Sequence, residues 1–343
     1  MRETCLKNEH TLPLAIGTVP VRNRAWLAPM SGVTDVPFRQ LAWRYGAGMV
    51  VSEMVASEAL TTGQEEMRLK AEAAGLPTHV VQLAGKDPKW MAEATKLAEG
   101  AGASIIDINM GCPAKKVVNG YSGSALMRDL DHAMTLVEAV MNTTDLPVTL
   151  KMRLGWDDDT INAPELAERA ERAGVKLITV HGRTRNQFYK GQADWNRIAP
   201  VRERICVPLV VNGDITDETT ARAAIKACGA DGVMVGRATY GAPWLVGQIG
   251  AALAGETPAE TPSGAALATL VAEHYEAMLS FYDVDLGRRN ARKHLDWYCQ
   301  HIQKGPDFAQ LRKTMMTAEQ PSQVQRTIDQ IFGELPPMQD QAA

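Results

Sequence analysis

Eight short apolar runs, rich in β-branched residues, recur along the chain at 25–30, 49–54, 79–83, 104–110, 148–153, 177–182, 209–213 and 232–236. Each is bounded by polar residues or by Gly and Pro, as strands buried on both faces are. Alanine-rich, charge-dotted segments separate most of them, such as 92–102, 164–174 and 217–228. Their apolar positions follow helical spacing, and Gly102, Gly174 and Gly229 stand where a helix C-cap glycine belongs. Eight rounds of strand and helix predict an α/β fold, a (β/α)8 TIM barrel. The structural rival, an open doubly wound sheet, usually carries a GxGxxG at a βα turn, and this sequence has none.

After Tyr240 the pattern changes. A helix is expected over 243–253, then a Pro/Thr-rich stretch at 255–262, then only helical periodicity as far as Gly333. The expected organisation is a barrel over 1–254 with an N-terminal extension 1–23, a linker 255–262, a small C-terminal helical bundle over 263–335 and a tail 336–343.

The strand ends carry the candidate chemistry. They finish in Pro29 and Met30, Glu53, Gln82, Asn109, Lys151 and Arg153, His181, Asn212 with Asp214, and Gly236 with Arg237. A barrel gathers its carboxyl strand ends on one face, where active sites lie. Period-2 alternation puts Lys151 and Arg153 on the same side of their strand. The last two strand ends, Asn212-Gly213-Asp214 and Gly236-Arg237, supply glycines and an arginine where barrels commonly hold a phosphate through backbone N–H groups.

The fourth strand runs into Asn109-Met110-Gly111-Cys112-Pro113, with Lys115 and Lys116 close behind. A lone cysteine is more often a small buried hydrophobe than a catalyst. Here two backbone breakers, a polar Asn and two lysines place Cys112 in an electropositive loop, a setting for acid–base or thiol chemistry.

Composition narrows the class. Apolar residues make up 45% and charged residues 22%, as in ordinary globular proteins, and no run approaches the ~20 residues of a membrane span. The opening residues lack the apolar core of a secretion signal, so none is expected. Five scattered cysteines without a CxxC, and no HExxH, argue for a reducing cytoplasm with neither disulfides nor a metal site. The net charge of −4 gives no global sign of nucleic-acid binding. Yet 288–313 holds seven Lys/Arg, including Arg288, Arg289, Arg292 and Lys293, against only Asp296 and Asp307. A solvated helix face explains that as well as an anionic partner does.

Taken together these motifs resemble the bacterial tRNA-dihydrouridine synthases, most closely the B type. The anchors are Leu27-Ala28-Pro29-Met30-Ser31-Gly32-Val33-Thr34-Asp35, the Asn109 to Val117 loop, Lys151-Met152-Arg153-Leu154-Gly155, His181-Gly182-Arg183-Thr184-Arg185, Asn212-Gly213-Asp214-Ile215, Gly236-Arg237-Ala238 and Arg292-Lys293-His294. The resemblance spans about Leu14 to Gly333. It implies an enzyme that binds FMN in the barrel mouth, takes electrons from NADPH or NADH, and reduces the C5=C6 bond of a D-loop uridine in tRNA. Hydride would go from reduced flavin to C6, since no amino acid supplies hydride, and a proton from Cys112 to C5. It further implies that Ala28, Pro29 and Met30 line the flavin ring, that Gln82 bonds its polar edge, that Lys151 and His181 lie against it, and that Asn212, Gly213, Asp214, Gly236 and Arg237 hold the phosphate end. Asn109 and Arg153 are expected on the substrate side. Lys115, Lys116, Arg183 and Arg185 at the mouth, with Arg288, Arg289, Arg292 and Lys293 beyond, are expected to meet tRNA phosphates. A monomer without membrane or metal partner is expected. Two alternatives remain open at this point: a small-molecule FMN dehydrogenase similar to dihydroorotate dehydrogenases, and a non-catalytic RNA-binding flavoprotein.

Overall fold

The computed structural model describes residues 14–333; the start of the expected extension, with Cys5, and the expected tail 336–343 lie outside the described residues. Eight parallel strands close into a barrel. In chain order they are β1 (Ala25–Leu27), β2 (Met49–Ala56), β3 (Val80–Ala84), β4 (Ile105–Met110), β5 (Val148–Arg153), β6 (Leu177–His181), β7 (Leu209–Asn212) and β8 (Gly232–Val235). Each pairs with its sequence neighbours, and β8 closes onto β1 with Met234 opposite Trp26. All eight expected strands are present, and the expected fold class is the one found. β1 stops earlier than the apolar run suggests. The Ala28 N–H still donates to the Val235 carbonyl, but Pro29 has no N–H to continue the ladder.

The inside of the barrel is stratified. A short antiparallel ribbon, Ala15–Ile16 with Val19–Pro20, underlies the amino ends of the strands. Its Ile16 packs with Val21, Trp26, Met49, Val51, Val80, Ile105, Leu177, Val210 and Met234 into an apolar floor. Side chains alternate along each strand, so two residues further on the inward positions are Gln82, Asp107, Thr179 and Asn212, all buried and all polar. The apolar floor fixes the register, because a one-residue slip would turn these polar groups outward and the apolar ones with them.

The connecting helices form where the sequence places them: Pro88–Gly100, Ala163–Arg172 and Glu218–Cys228. Asp87 and Asp217 accept backbone N–H bonds at two of their N-termini. Gly229 is the left-handed C-cap of the last, whereas Gly102 and Gly174 follow alanine caps by one residue.

The chain divides into two compact units. The second contains the helices Gly264–Tyr282, Val284–Tyr298, Phe308–Thr317 and Pro321–Phe332, with a core that includes Leu270, Tyr275, Leu295, Tyr298, Ile328 and Phe332. It also takes in the short segment Thr239–Leu245, which the sequence reading assigned to a barrel continuous to residue 254. Two contacts explain why. Tyr240 stacks on Trp297 with ring centroids 4.0 Å apart, and His301 Nε2 lies 3.0 Å from the Tyr240 carbonyl oxygen. The helix Leu245–Ala254 then returns to the barrel unit from Val246 onward.

That return depends on close backbone approach. A Cβ on Gly247 would lie 1.8 Å from the Tyr45 carbonyl oxygen, and one on Gly250 2.4 Å from Asn23 Oδ1. Gly247→Ala should therefore force the helix off the barrel and lower stability by about 1–3 kcal/mol, the usual range for overpacking. Thermal and urea unfolding of the full chain check this; an unshifted transition would contradict it.

Candidate active site

The carboxyl ends of β3 to β8 converge on one face, and their side chains form three hydrogen-bonded groups. The first runs from the barrel interior to the loop carrying Cys112. Asp107 on β4 accepts from Thr149 Oγ1 at 2.6 Å and from Gln82 Nε2 at 2.6 Å. Gln82 Oε1 accepts from Asn109 Nδ2 at 2.7 Å, and Asn109 Oδ1 accepts from the backbone N–H of Gly111 (3.1 Å) and Cys112 (3.0 Å). The Cys112 carbonyl in turn accepts from Ser124 N and Oγ at 3.0 and 2.8 Å. Gly123 permits this fold-back: its φ is +60°, and a Cβ there would lie 2.8 Å from the Cys112 carbonyl oxygen. Burial pushes the half-buried Cys112 thiol above its ordinary pKa, opposed by the Ala114 N–H and the charges of Arg153 and Lys151. At neutral pH the group is a thiol, not a thiolate.

The second group is cationic. Lys151 Nζ donates to Asn212 Oδ1 at 3.0 Å, and Asn212 Nδ2 to the Met234 carbonyl at 2.8 Å. Burial, then the charge of Arg153, brings Lys151 down to about 8, with Asp107 and Cys112 opposing. Burial also lowers Arg153 to about 10. The Arg153 guanidinium is held by carbonyls: Nε donates to Gly111 at 2.9 Å, and one terminal nitrogen donates to Thr184 (2.8 Å) and Phe188 (2.9 Å). His181 lies among these charges. Burial first, then Arg153, Lys151, Arg183 and Arg237, holds its ring well below the usual pKa, hence neutral. Its Nδ1 is buried with no hydrogen-bond partner in the structure.

The third group joins the loops after β6 and β7. Arg183 grips Asp214 through both terminal nitrogens, at 3.0 and 2.6 Å, and donates further to the carbonyls of Lys190 and Gly191. Asp214 also accepts from the Ala193 N–H at 2.8 Å and pairs with Arg237 at 3.2 Å. Burial alone would raise the Asp214 pKa, but the Arg183 and Ala193 hydrogen bonds and the two guanidinium charges together hold it below the usual value.

Two placements differ from the sequence reading. Arg183, expected to meet tRNA phosphates, is 1% exposed and committed to Asp214 and two carbonyls, so it positions a loop instead. Arg288 is half-buried and donates to the Ala318 carbonyl, whereas Arg289 is exposed. Lys115 and Lys116 are exposed as expected, on the short helix Lys115–Asn119. Gly236 lies beside Ala28 and Met30, with a built Cβ 3.8 Å from the Ala28 Cβ and 3.6 Å from the Met30 sulfur.

Sequence reasoning passed over the aromatic residues of the rim. Tyr189, 48% exposed, has the Arg153 and Arg237 guanidinium groups 5.7 and 5.2 Å from its ring centroid. Trp156 has Arg185 at 4.6 Å and Arg128 at 4.9 Å. The only available signal was Arg183 and Arg185 followed closely by Phe188 and Tyr189, too short a stretch to show periodicity. No group of three or more His, Cys, Asp and Glu among the described residues is placed to hold a metal ion.

Comparison with known proteins agrees with this geometry. Residues 26–335 match the family model described as "Dihydrouridine synthase (Dus)". The chain is 57% identical over 311 residues to a probable tRNA-dihydrouridine synthase of Rhodobacter capsulatus, covering 90% of this chain and 94% of that one. It is 54% identical to another from Rhizobium leguminosarum bv. phaseoli, covering 89% and 93%. With tRNA-dihydrouridine synthase B of Xanthomonas campestris pv. campestris the identity is 42%, over 90% and 92%. Among solved structures, histamine dehydrogenase from Rhizobium sp. 4-9 superposes with a TM-score of 0.51 at 15% identity, over 77% of this chain and 50% of that one, a likeness of fold. Matched over most of its length by the family model and by relatives at 42% to 57% identity, the chain belongs to the dihydrouridine synthase family.

Proposed function

We propose that this chain is a tRNA-dihydrouridine synthase that binds FMN in the barrel mouth, draws electrons from NADPH and reduces the C5=C6 bond of a D-loop uridine in tRNA, in the cytoplasm. The observation that carries the reading is the placement of Cys112 in the loop at the end of β4, its backbone N–H held by Asn109 Oδ1, beside Lys151 and Arg153.

The residues present fit the flavin. The His181 Nδ1 is a buried polar atom awaiting a partner. Lys151, buried with a lowered pKa and no carboxylate bonded to it, favours a group that brings negative charge. Ala28, Pro29 and Met30 beside Gly236 offer an apolar wall for the ring, and Gln82 retains one amide hydrogen and one lone pair for its polar edge. The backbone at Asn212, Gly213 and Gly236, with Arg237, would take the phosphate, and Asp214 would hold Arg237 in place. When bound, FMN supplies the hydride that uracil C6 requires.

The protein does the rest. Cys112 delivers the proton to C5, and burial keeps it protonated for that task. Asn109 and Arg153 stand on the substrate side of the mouth. A uracil must leave any stack to enter, which a tRNA loop permits cheaply. Exposed Lys115 and Lys116 and half-buried Arg185 on the rim, and Arg289, Arg292 and Lys293 of the helical unit, are the proposed phosphate contacts. NADPH, for which no GxGxxG is present, would visit the mouth and leave before the RNA enters.

Four measurements test this reading. Cys112→Ala should retain FMN, reduction by NADPH and tRNA binding, while single-turnover dihydrouridine formation falls by roughly 10²–10⁴; a wild-type rate would remove the catalytic assignment. In the intact enzyme that rate should stay level across neutral pH and decline as the thiol ionises at alkaline pH, because the acid must carry its proton. Lys151→Met should make the flavin harder to reduce, lowering its midpoint potential by tens of millivolts at about 30 mV per tenfold for two electrons; spectroelectrochemistry reads the shift. Charge reversal at Arg289, Arg292 and Lys293 should weaken tRNA binding and flatten its salt dependence. An unchanged salt slope in a folded variant would make that segment a solvated face.

A further inference from the structure

We propose that Asp107 is a positioning residue that sets the polarity of the hydrogen-bond line holding Cys112 in place. The inference rests on the catalytic reading of Cys112 and adds a residue to it.

The line runs Thr149, Asp107, Gln82, Asn109, Cys112, and both of its ends are chemically fixed. At the Cys112 end stand two backbone N–H groups, which can only donate. At the other end stands a carboxylate, 3% exposed, which when ionised can only accept. Between them lie two side-chain amides, each of which can turn either way. Only one combination satisfies every contact: Gln82 turns its NH2 to Asp107, its oxygen then faces the Asn109 NH2, and the Asn109 oxygen faces the loop. Were Gln82 reversed, its NH2 would meet that of Asn109. Asn109 would then have to turn as well, setting its NH2 against the Gly111 and Cys112 N–H groups. Asp107 therefore reaches Cys112 through two intermediaries without touching substrate or cofactor. Burial raises the Asp107 carboxyl above its usual pKa, while the hydrogen bonds from Thr149 and Gln82 and the charge of Lys151 oppose that rise and favour the ionised form.

The test measures Cys112 directly. Alkylation by iodoacetamide, quantified at the Cys112 peptide by mass spectrometry, reads the thiol without tRNA or turnover and separates it from exposed Cys206. In Asp107→Ala the loop loses its anchor, so alkylation should accelerate severalfold. Single-turnover uridine reduction should fall by about 10-fold to 10²-fold, the scale of a roughly 1 Å misplacement, with FMN still bound. Asp107→Asn can offer its oxygen to Gln82 and its NH2 to Thr149, whose hydroxyl can accept, so it should restore both readouts to within about threefold. Asn109→Ala combined with Asp107→Ala should be no worse than Asn109→Ala alone.

A second set of variants avoids a folding failure of Asp107→Ala. Gln82→Glu puts two carboxylates face to face and should disturb Cys112. Adding Asp107→Asn rebuilds the line and should return alkylation to the wild-type rate. The new amide at position 107 can donate to the new carboxylate at position 82, which can still accept from Asn109. Additive losses in the Asp107–Asn109 pair, an Asp107→Asn as impaired as Asp107→Ala, or a swap that restores nothing would each overturn the proposal. If no variant or wild type reduces uridine, the functional reading fails, while alkylation still decides the role of Asp107.

Discussion

Inside a closed barrel a polar side chain has no water to turn to, so each must find its partner on a neighbouring strand or loop. That constraint organises this molecule above its apolar floor. Asp107 is met by Thr149 and Gln82, Lys151 by Asn212, Arg153 by three carbonyls, and Arg183 by Asp214 and two carbonyls. Most of the partners lie on other strands or the loops that follow them, so most pairings tie together elements far apart in the chain. Closing the cylinder adds one more pairing, because Lys151 on β5 reaches Asn212 on β7 past the intervening strand β6.

The pairing is also unequal in charge. Burial first, then the neighbouring cations, lowers Lys151 and Arg153 and keeps the His181 ring neutral. Such a site is incomplete electrostatically until something anionic enters. The thiol belongs to the same balance. Burial holds the proton on Cys112, while Lys151 and Arg153 keep the cost of its departure within reach. The proposed proton donor and the proposed anion site would both follow from one desolvated cluster.

Much of this was legible in the sequence because strands buried on both faces are continuous apolar runs, and eight of them could be counted. The polar strand ends were legible for the same reason, standing out against apolar neighbours. What was lost lies where periodicity stops. Arg183 follows β6 in irregular backbone, and nothing local shows that its side chain turns inward to Asp214. Tyr189 and Trp156 acquire meaning only from arginines on other loops. Thr239–Leu245 joins the helices through the stacking of Tyr240 on Trp297, a contact between distant positions. In the sequence Asp107 is a single polar residue within an apolar run, and its partners on β3 and β5 become visible only when the sheet is assembled.

The hydrogen-bond line from Asp107 to the Cys112 loop has a consequence for how this sequence can drift. Apolar floor residues can exchange one at a time for others of similar volume, each step leaving a working barrel. The line permits no such gradual path, because changing either amide to a carboxylate, or the carboxylate to a hydrocarbon, strands a donor or opposes two acceptors. Apart from the exchange of Asp107 for asparagine, its members can be replaced only in compensating pairs. Descendants of this chain will therefore diverge quickly around the floor and rim while Gln82, Asp107 and Asn109 are inherited together as a single unit.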